Sequence, residues 1–155
     1  MMKKLIFLFI LSFGFLISTQ AQVKVQLGIN IQSQPVWGPT GYDHAEYYYM
    51  PEYDLYYDVP HRRYVYFDDG HWAFANTLPQ RYHDVDLYHT HKVVLNERRA
   101  YLHHDEHMRQ YSDYKSRHDQ EVIRDSHEEK YWQIKDHPEH QKWHGRGHGR
   151  EGNQH

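Results

Sequence analysis

The chain has 155 residues, with 16 His, 15 Tyr, no Cys and a formal net charge of −3. The missing cysteine excludes a disulfide framework, a thiolate metal site, a cysteine nucleophile and a lipoprotein anchor. The length fits one small domain with a tail, and the charge balance excludes a constitutively basic nucleic-acid surface.

Residues 1–21 read as a signal peptide. Lys3 and Lys4 form its positive start, and a 13-residue apolar run covers Leu5 to Ile17. Such a helix is about 20 Å long, too short for a bilayer core of roughly 30 Å. Thr19 and Ala21 stand at the small-residue cleavage positions. The expected product is an exported chain, periplasmic or secreted, beginning at Gln22. Loss of Lys3 and Lys4 leaves 16 basic against 21 acidic residues, a charge of −5, and full protonation of its His would reach +11.

Residues 22–100 read as a Tyr-rich β domain. From Val23 to Ile31 apolar and polar residues alternate, the pattern of a strand with one buried face. A turn-rich connector follows over 34–43. Fourteen aromatics then fall within the 47 residues from Tyr42 to Tyr88. Aromatic runs at 45–49, 53–58, 62–67 and 71–75 have the spacing of an antiparallel meander. Pro51 and Pro60 repeat nine residues apart and belong between strands, because proline cannot donate to a ladder. Asp68-Asp69-Gly70 predicts a three-residue hairpin loop, with Trp72 and Phe74 on one face of the returning strand. Residues 91–96 predict one more strand.

The second half is polar, with ten of the His. Residues 101–136 read as a helical segment: one helix over 103–118, and another begun by a capping box at Ser126 to Glu129 and running to Ile134. Pro138 can open a last helical turn. Residues 137–155 read as a His- and Gly-rich disordered tail. The expected fold class is mainly β with a C-terminal α segment (α+β), a small antiparallel meander sheet or partial barrel, then one or two short helices.

No motif for a known reaction is present. His127 to Tyr131 begins like a zinc-protease helix, but Tyr131 occupies the second histidine's place. A non-enzyme is therefore expected, with no catalytic residues and no obligatory cofactor. Imidazole suits Zn, Cu and Ni. The pairs His89 with His91, His103 with His107, and His140 with His144 each supply half of a tetrahedral site. His103, His107, His137, His140 and His144 are the candidate metal ligands. The aromatic run supplies a candidate binding face, Tyr48, Tyr57, Tyr66 and Trp72.

Several short stretches together resemble a group of small exported Tyr-rich proteins of Bacteroidota-type bacteria. They are Pro35-Val36-Trp37-Gly38-Pro39 with Gly41-Tyr42-Asp43, then Glu46-Tyr47-Tyr48-Tyr49 with Pro51, Gly70 with Trp72, and Leu78-Pro79 with Arg81-Tyr82. Lys92-Val93-Val94, Ile123-Arg124-Asp125-Ser126 and His137-Pro138-Glu139-His140 extend the likeness over about 35–144. The resemblance implies an exported β-rich fold and carries over no activity or ligand.

The leading expectation is an exported, non-enzymatic envelope protein, a structural or interaction module that meets an envelope protein or glycan through its Tyr/Trp face. One alternative is a periplasmic protein that binds or buffers Zn, Cu or Ni through its His-rich half. Another is a surface binder switched by His protonation.

Overall fold

The computed structural model describes residues 28–145. The signal peptide, most of the alternating run at 23–31, and residues 146–155 lie outside the described residues.

Five short strands form one open antiparallel sheet: β1 Tyr47–Met50, β2 Leu55–Asp58, β3 Arg63–Asp68, β4 His71–Ala75 and β5 Val93–Leu95, in spatial order β4-β3-β2-β1-β5. The fold is thus mainly β, with a small helical part after it. The meander and the strand within 91–96 are where the sequence pattern places them. Pro51 and Pro60 fall in the turns after β1 and β2. Each of these turns ends on a left-handed residue, Asp54 (φ 49°) or Arg62 (φ 52°). The weak repeat is therefore one turn design used twice.

The β3–β4 hairpin differs from expectation. Asp68 pairs with His71, so the loop has only two residues. Asp69 (φ 44°) and Gly70 (φ 83°) are both left-handed, the requirement of a type I′ turn, whose backbone twist matches that of the flanking strands where a type I or II turn would splay them.

Tyrosine builds both faces of the sheet. Tyr48, Tyr57 and Tyr64 pair across β1, β2 and β3 on one face, under Trp37 from the connector. Trp37 meets Tyr57 edge-on at 4.8 Å. Tyr49 and Tyr56 pair on the opposite face and stack at 4.7 Å. β1 and β2 are consequently buried at every position. A strand covered on both sides must be apolar on both sides. Paired rings do this here, and their hydroxyls find polar partners: Tyr48 donates to buried Gln34 Oε1 at 2.8 Å, and Tyr49 to the half-buried Asp54 at 2.8 Å.

Gly38 lets the connector lie this close. A Cβ there would come 2.6 Å from the Tyr48 hydroxyl and 3.0 Å from Pro35 O. Gly38→Ala should cost about 1–3 kcal/mol by overpacking. Urea denaturation checks this, and an unchanged midpoint would contradict the packing.

Lys92 is 1% exposed and donates from Nζ to Leu87 O at 2.6 Å. Burial pulls its ammonium down to about 8, against the opposing pull of Asp86.

Three local expectations are corrected. Residues 29–31 form no strand: Ile29 is exposed, and Ile31–Ser33 is a 3-10 turn. Asn30 instead clamps the next segment, its side chain bonding both N and O of Ala45. The helix expected over 103–118 contracts to α1, His104–Gln110, after a 3-10 turn at Ala100–His103. Ser112 Oγ donates to Arg109 O at 3.1 Å, competing with the backbone where the helix would continue. Ser126 forms no capping box. Its Oγ accepts from Glu128 N, two residues on, and only a 3-10 turn follows at Glu129–Tyr131.

The polar second half nevertheless packs. Ile123, Tyr131 and Ile134 build a separate core with Ile31 and Val36. Ile123 N and Arg124 N donate to Gly38 O and Val36 O, both at 2.8 Å, and the Tyr131 hydroxyl accepts from Gly41 N at 2.7 Å. A short helix α2, His140–Gly145, ends the described chain.

Candidate functional site

The 3-10 turn at 100–103 and α1 cross the Tyr49/Tyr56 face of the sheet. Glu97, just after β5, is the hub of a hydrogen-bonded chain there. Its carboxylate accepts from His103 Nδ1 and from His107 Nε2, both at 2.8 Å. His107 is buried, and its Nδ1 lies 3.0 Å from the Tyr56 hydroxyl. His104 Nδ1 lies 3.1 Å from the same hydroxyl. That hydroxyl has one proton, so one imidazole Nδ1 accepts it and the other donates to its oxygen. Burial pushes the His104 imidazole below its ordinary range, outweighing the pull of Asp54 and Asp105. The five groups lock α1 to the sheet.

Beside this network an open groove of about 650 Å³ runs between the β3–β4 hairpin and α1. Phe67, Trp72, Tyr101 and Leu102 form its apolar wall, and His103, His104, Asp105, Glu106 and Arg109 its polar one. Phe67 is 50% and Leu102 56% exposed. Trp72 is held upright by edge contacts with Tyr56 at 5.8 Å and Phe67 at 5.2 Å. Tyr101 closes the row, 5.3 Å from Trp72. Flat apolar rings facing carboxylates and a guanidinium suit a ligand with apolar faces and polar edges.

The candidate aromatic face is divided by the sheet. Tyr48, Tyr57 and Tyr66 belong to the Trp37 side, with Tyr48 and Tyr57 buried. Trp72 belongs to the other side. Strand alternation separates them, since Trp72 pairs with Phe67 and Tyr66 with Ala73. The four do not form one platform; Trp72 alone lines the groove.

The candidate metal ligands are also dispersed. His103 and His107 are brought together, but around Glu97. His137 is buried, with Nε2 donating to Ile123 O at 3.1 Å and Nδ1 accepting from Glu139 N at 3.1 Å. It therefore belongs to the packed structure and not to a loose tail. His140 Nδ1 donates to Trp132 O at 2.9 Å. The side chain of His144 lies outside the described residues. His89 and His91 separate: His89 bonds Asp86 at 2.6 Å, and His91 stacks on Tyr114 at 4.6 Å. Among the described residues, no group of three or more His, Asp or Glu is placed to hold a metal ion.

Glu97, His104, Tyr101 and Phe67 escaped the sequence reading. The adjacent pair His103-His104 was the available signal, because two successive imidazoles at a helix start face different ways. Among the described residues no helix is long and apolar enough to cross a membrane. The chain matches no family model, no curated protein and no solved structure.

Proposed function

We propose that the protein is an exported, non-enzymatic interaction module whose groove holds a glycan. The carrying observation is the row Phe67, Trp72 and Tyr101, partly exposed rings opposite the polar side chains of α1. Sugar rings have apolar C–H faces that lie on aromatic faces, and equatorial hydroxyls that meet carboxylates such as Asp105 and Glu106. The apolar run at 5–17 and the resemblance of 35–144 to exported Tyr-rich proteins support the location. The absence of a recognisable catalytic motif supports binding without turnover.

Titration of the mature protein with soluble envelope polysaccharides, followed by tryptophan fluorescence, tests this. Phe67→Ala with Leu102→Ala removes exposed apolar surface and should weaken binding about tenfold, with thermal stability nearly unchanged. Binding that is indifferent to this double variant would place the ligand elsewhere and defeat the proposal.

A further inference from the structure

Next to the groove, across Tyr101, lies a second depression of about 330 Å³, lined by Tyr47, His61, Arg63, Arg98, Arg99 and Tyr101 together with Glu46. The two depressions share Tyr101, whose ring touches Tyr47 at 6.1 Å, Phe74 at 5.5 Å and Trp72 at 5.3 Å. They are stations along one aromatic path.

The arginines divide into two groups. Arg63, Arg81, Arg117 and Arg124 each pair with a carboxylate, and Arg62 donates to Gln32 O. Among the described residues, the side chains of Arg98, Arg99 and Arg109 make no ion pair and no hydrogen bond. All three line the groove or the second depression. The acids around the second depression are already engaged: Asp58 is held by His61 and Arg63, Glu46 by His44, and Glu97 by His103 and His107. Arg99 is also left-handed, at φ 53°. A residue with a Cβ takes that conformation at a cost, and such positions cluster where side chains must be aimed.

We propose that the Arg98/Arg99 depression binds an acidic substituent, a carboxylate or sulfate, on the glycan held in the groove. The inference rests on the glycan reading and adds its charge. Planar guanidiniums bind such oxyanions through paired N–H donors. The groove's own acids, Asp105 and Glu106, are on α1 and suit the neutral hydroxyls. The ligand is thus a polymer that presents an uncharged sugar face beside an acid group.

Binding of the mature protein to dextran, dextran sulfate and polygalacturonate tests this, with phosphatidylglycerol vesicles as a further arm. The expected result is at least tenfold tighter binding to one of the acidic polymers than to dextran, weakening as salt rises. Arg98→Gln with Arg99→Gln should remove that advantage and leave dextran binding unchanged. Gln keeps the backbone demand at position 99, and circular dichroism checks that the variant folds. Acidic-polymer binding that survives the double variant overturns the inference. Equal binding of all three polymers, lost in the Phe67/Leu102 variant, also overturns it while the groove reading stands. Failure of all three polymers defeats both, and vesicle binding tighter than any polymer reassigns the arginines to a lipid surface.

Discussion

Raised above about pH 10, the protein is expected to unfold in one cooperative step driven by its buried tyrosines. Burial, reinforced by Asp58, pushes Tyr47 up to about 12, and burial, with a smaller push from Tyr57, does the same for Tyr64. Tyr48, Tyr49 and Tyr56 are raised as well, again by burial first. A phenol whose folded value is raised keeps its proton where the unfolded chain has lost it. Its contribution is complete below the ordinary value of 10.0 and is lost as pH climbs toward the folded value. Each unit is worth about 1.4 kcal/mol, so Tyr47 and Tyr64 alone forfeit roughly 3 kcal/mol each. Small domains hold only about 5–15 kcal/mol in total. Lys92 acts the other way at first. Its folded value of about 8 lies below the ordinary 10.5, so stability rises through that window before the phenols dominate. Phenolate absorbance at 295 nm and far-ultraviolet circular dichroism should change together. Ionisation of the buried rings with the dichroism intact would refute this account of the core.

Truncating Tyr56 should give the largest loss of any single aromatic. Its ring stacks on Tyr49 and supports Trp72, and its hydroxyl serves His104 and His107. Tyr56→Ala creates a cavity and should cost about 3–5 kcal/mol. Tyr56→Phe keeps the ring and strands two imidazole nitrogens, for about 1–3 kcal/mol. A double-mutant cycle of Tyr56→Phe with Glu97→Gln reports whether the network acts as a unit. Coupling of at least about 0.5 kcal/mol is expected, because both are linked through His107. A neutral Tyr56→Phe would show that α1 is held by packing alone.

The sheet was legible because its signal is local. Aromatic runs punctuated by Pro51 and Pro60 leave few alternatives to a meander, and Trp72 with Phe74 shows its parity directly. The helix phase was not legible. The spacing of His103 and His107 did bring the two together, on Glu97, but the 3-10 turn ending at His103 changes the rotation per residue and also brings His104 onto Tyr56, which no helical stripe predicts. Glu97 could not be found by periodicity, since it belongs to neither strand nor helix. The packing of Ile123, Tyr131 and Ile134 against Ile31 and Val36 was hidden for a different reason. Each half of that core is too sparse to show a pattern, and the halves lie far apart in sequence. The groove shares this difficulty, being formed by a hairpin at 67–72 and a helix at 104–110.

The clasp between Gly41 and Tyr131 spans 90 residues. Residues 120–137 emerge long after residues 36–41, so the connector is made early and waits for its partner. Until then Val36 and Ile31 lack their cover, and Gly38 and Val36 offer unpaired carbonyls. Contacts of such long sequence separation slow folding, because the loop must close before it is rewarded. The sheet, whose hairpins are short, can form well before the clasp. Folding should therefore show a fast phase for the meander and a slower, final one that reports the closing of the two ends. A chain stopped before Tyr131 would keep its strands and lose its seal.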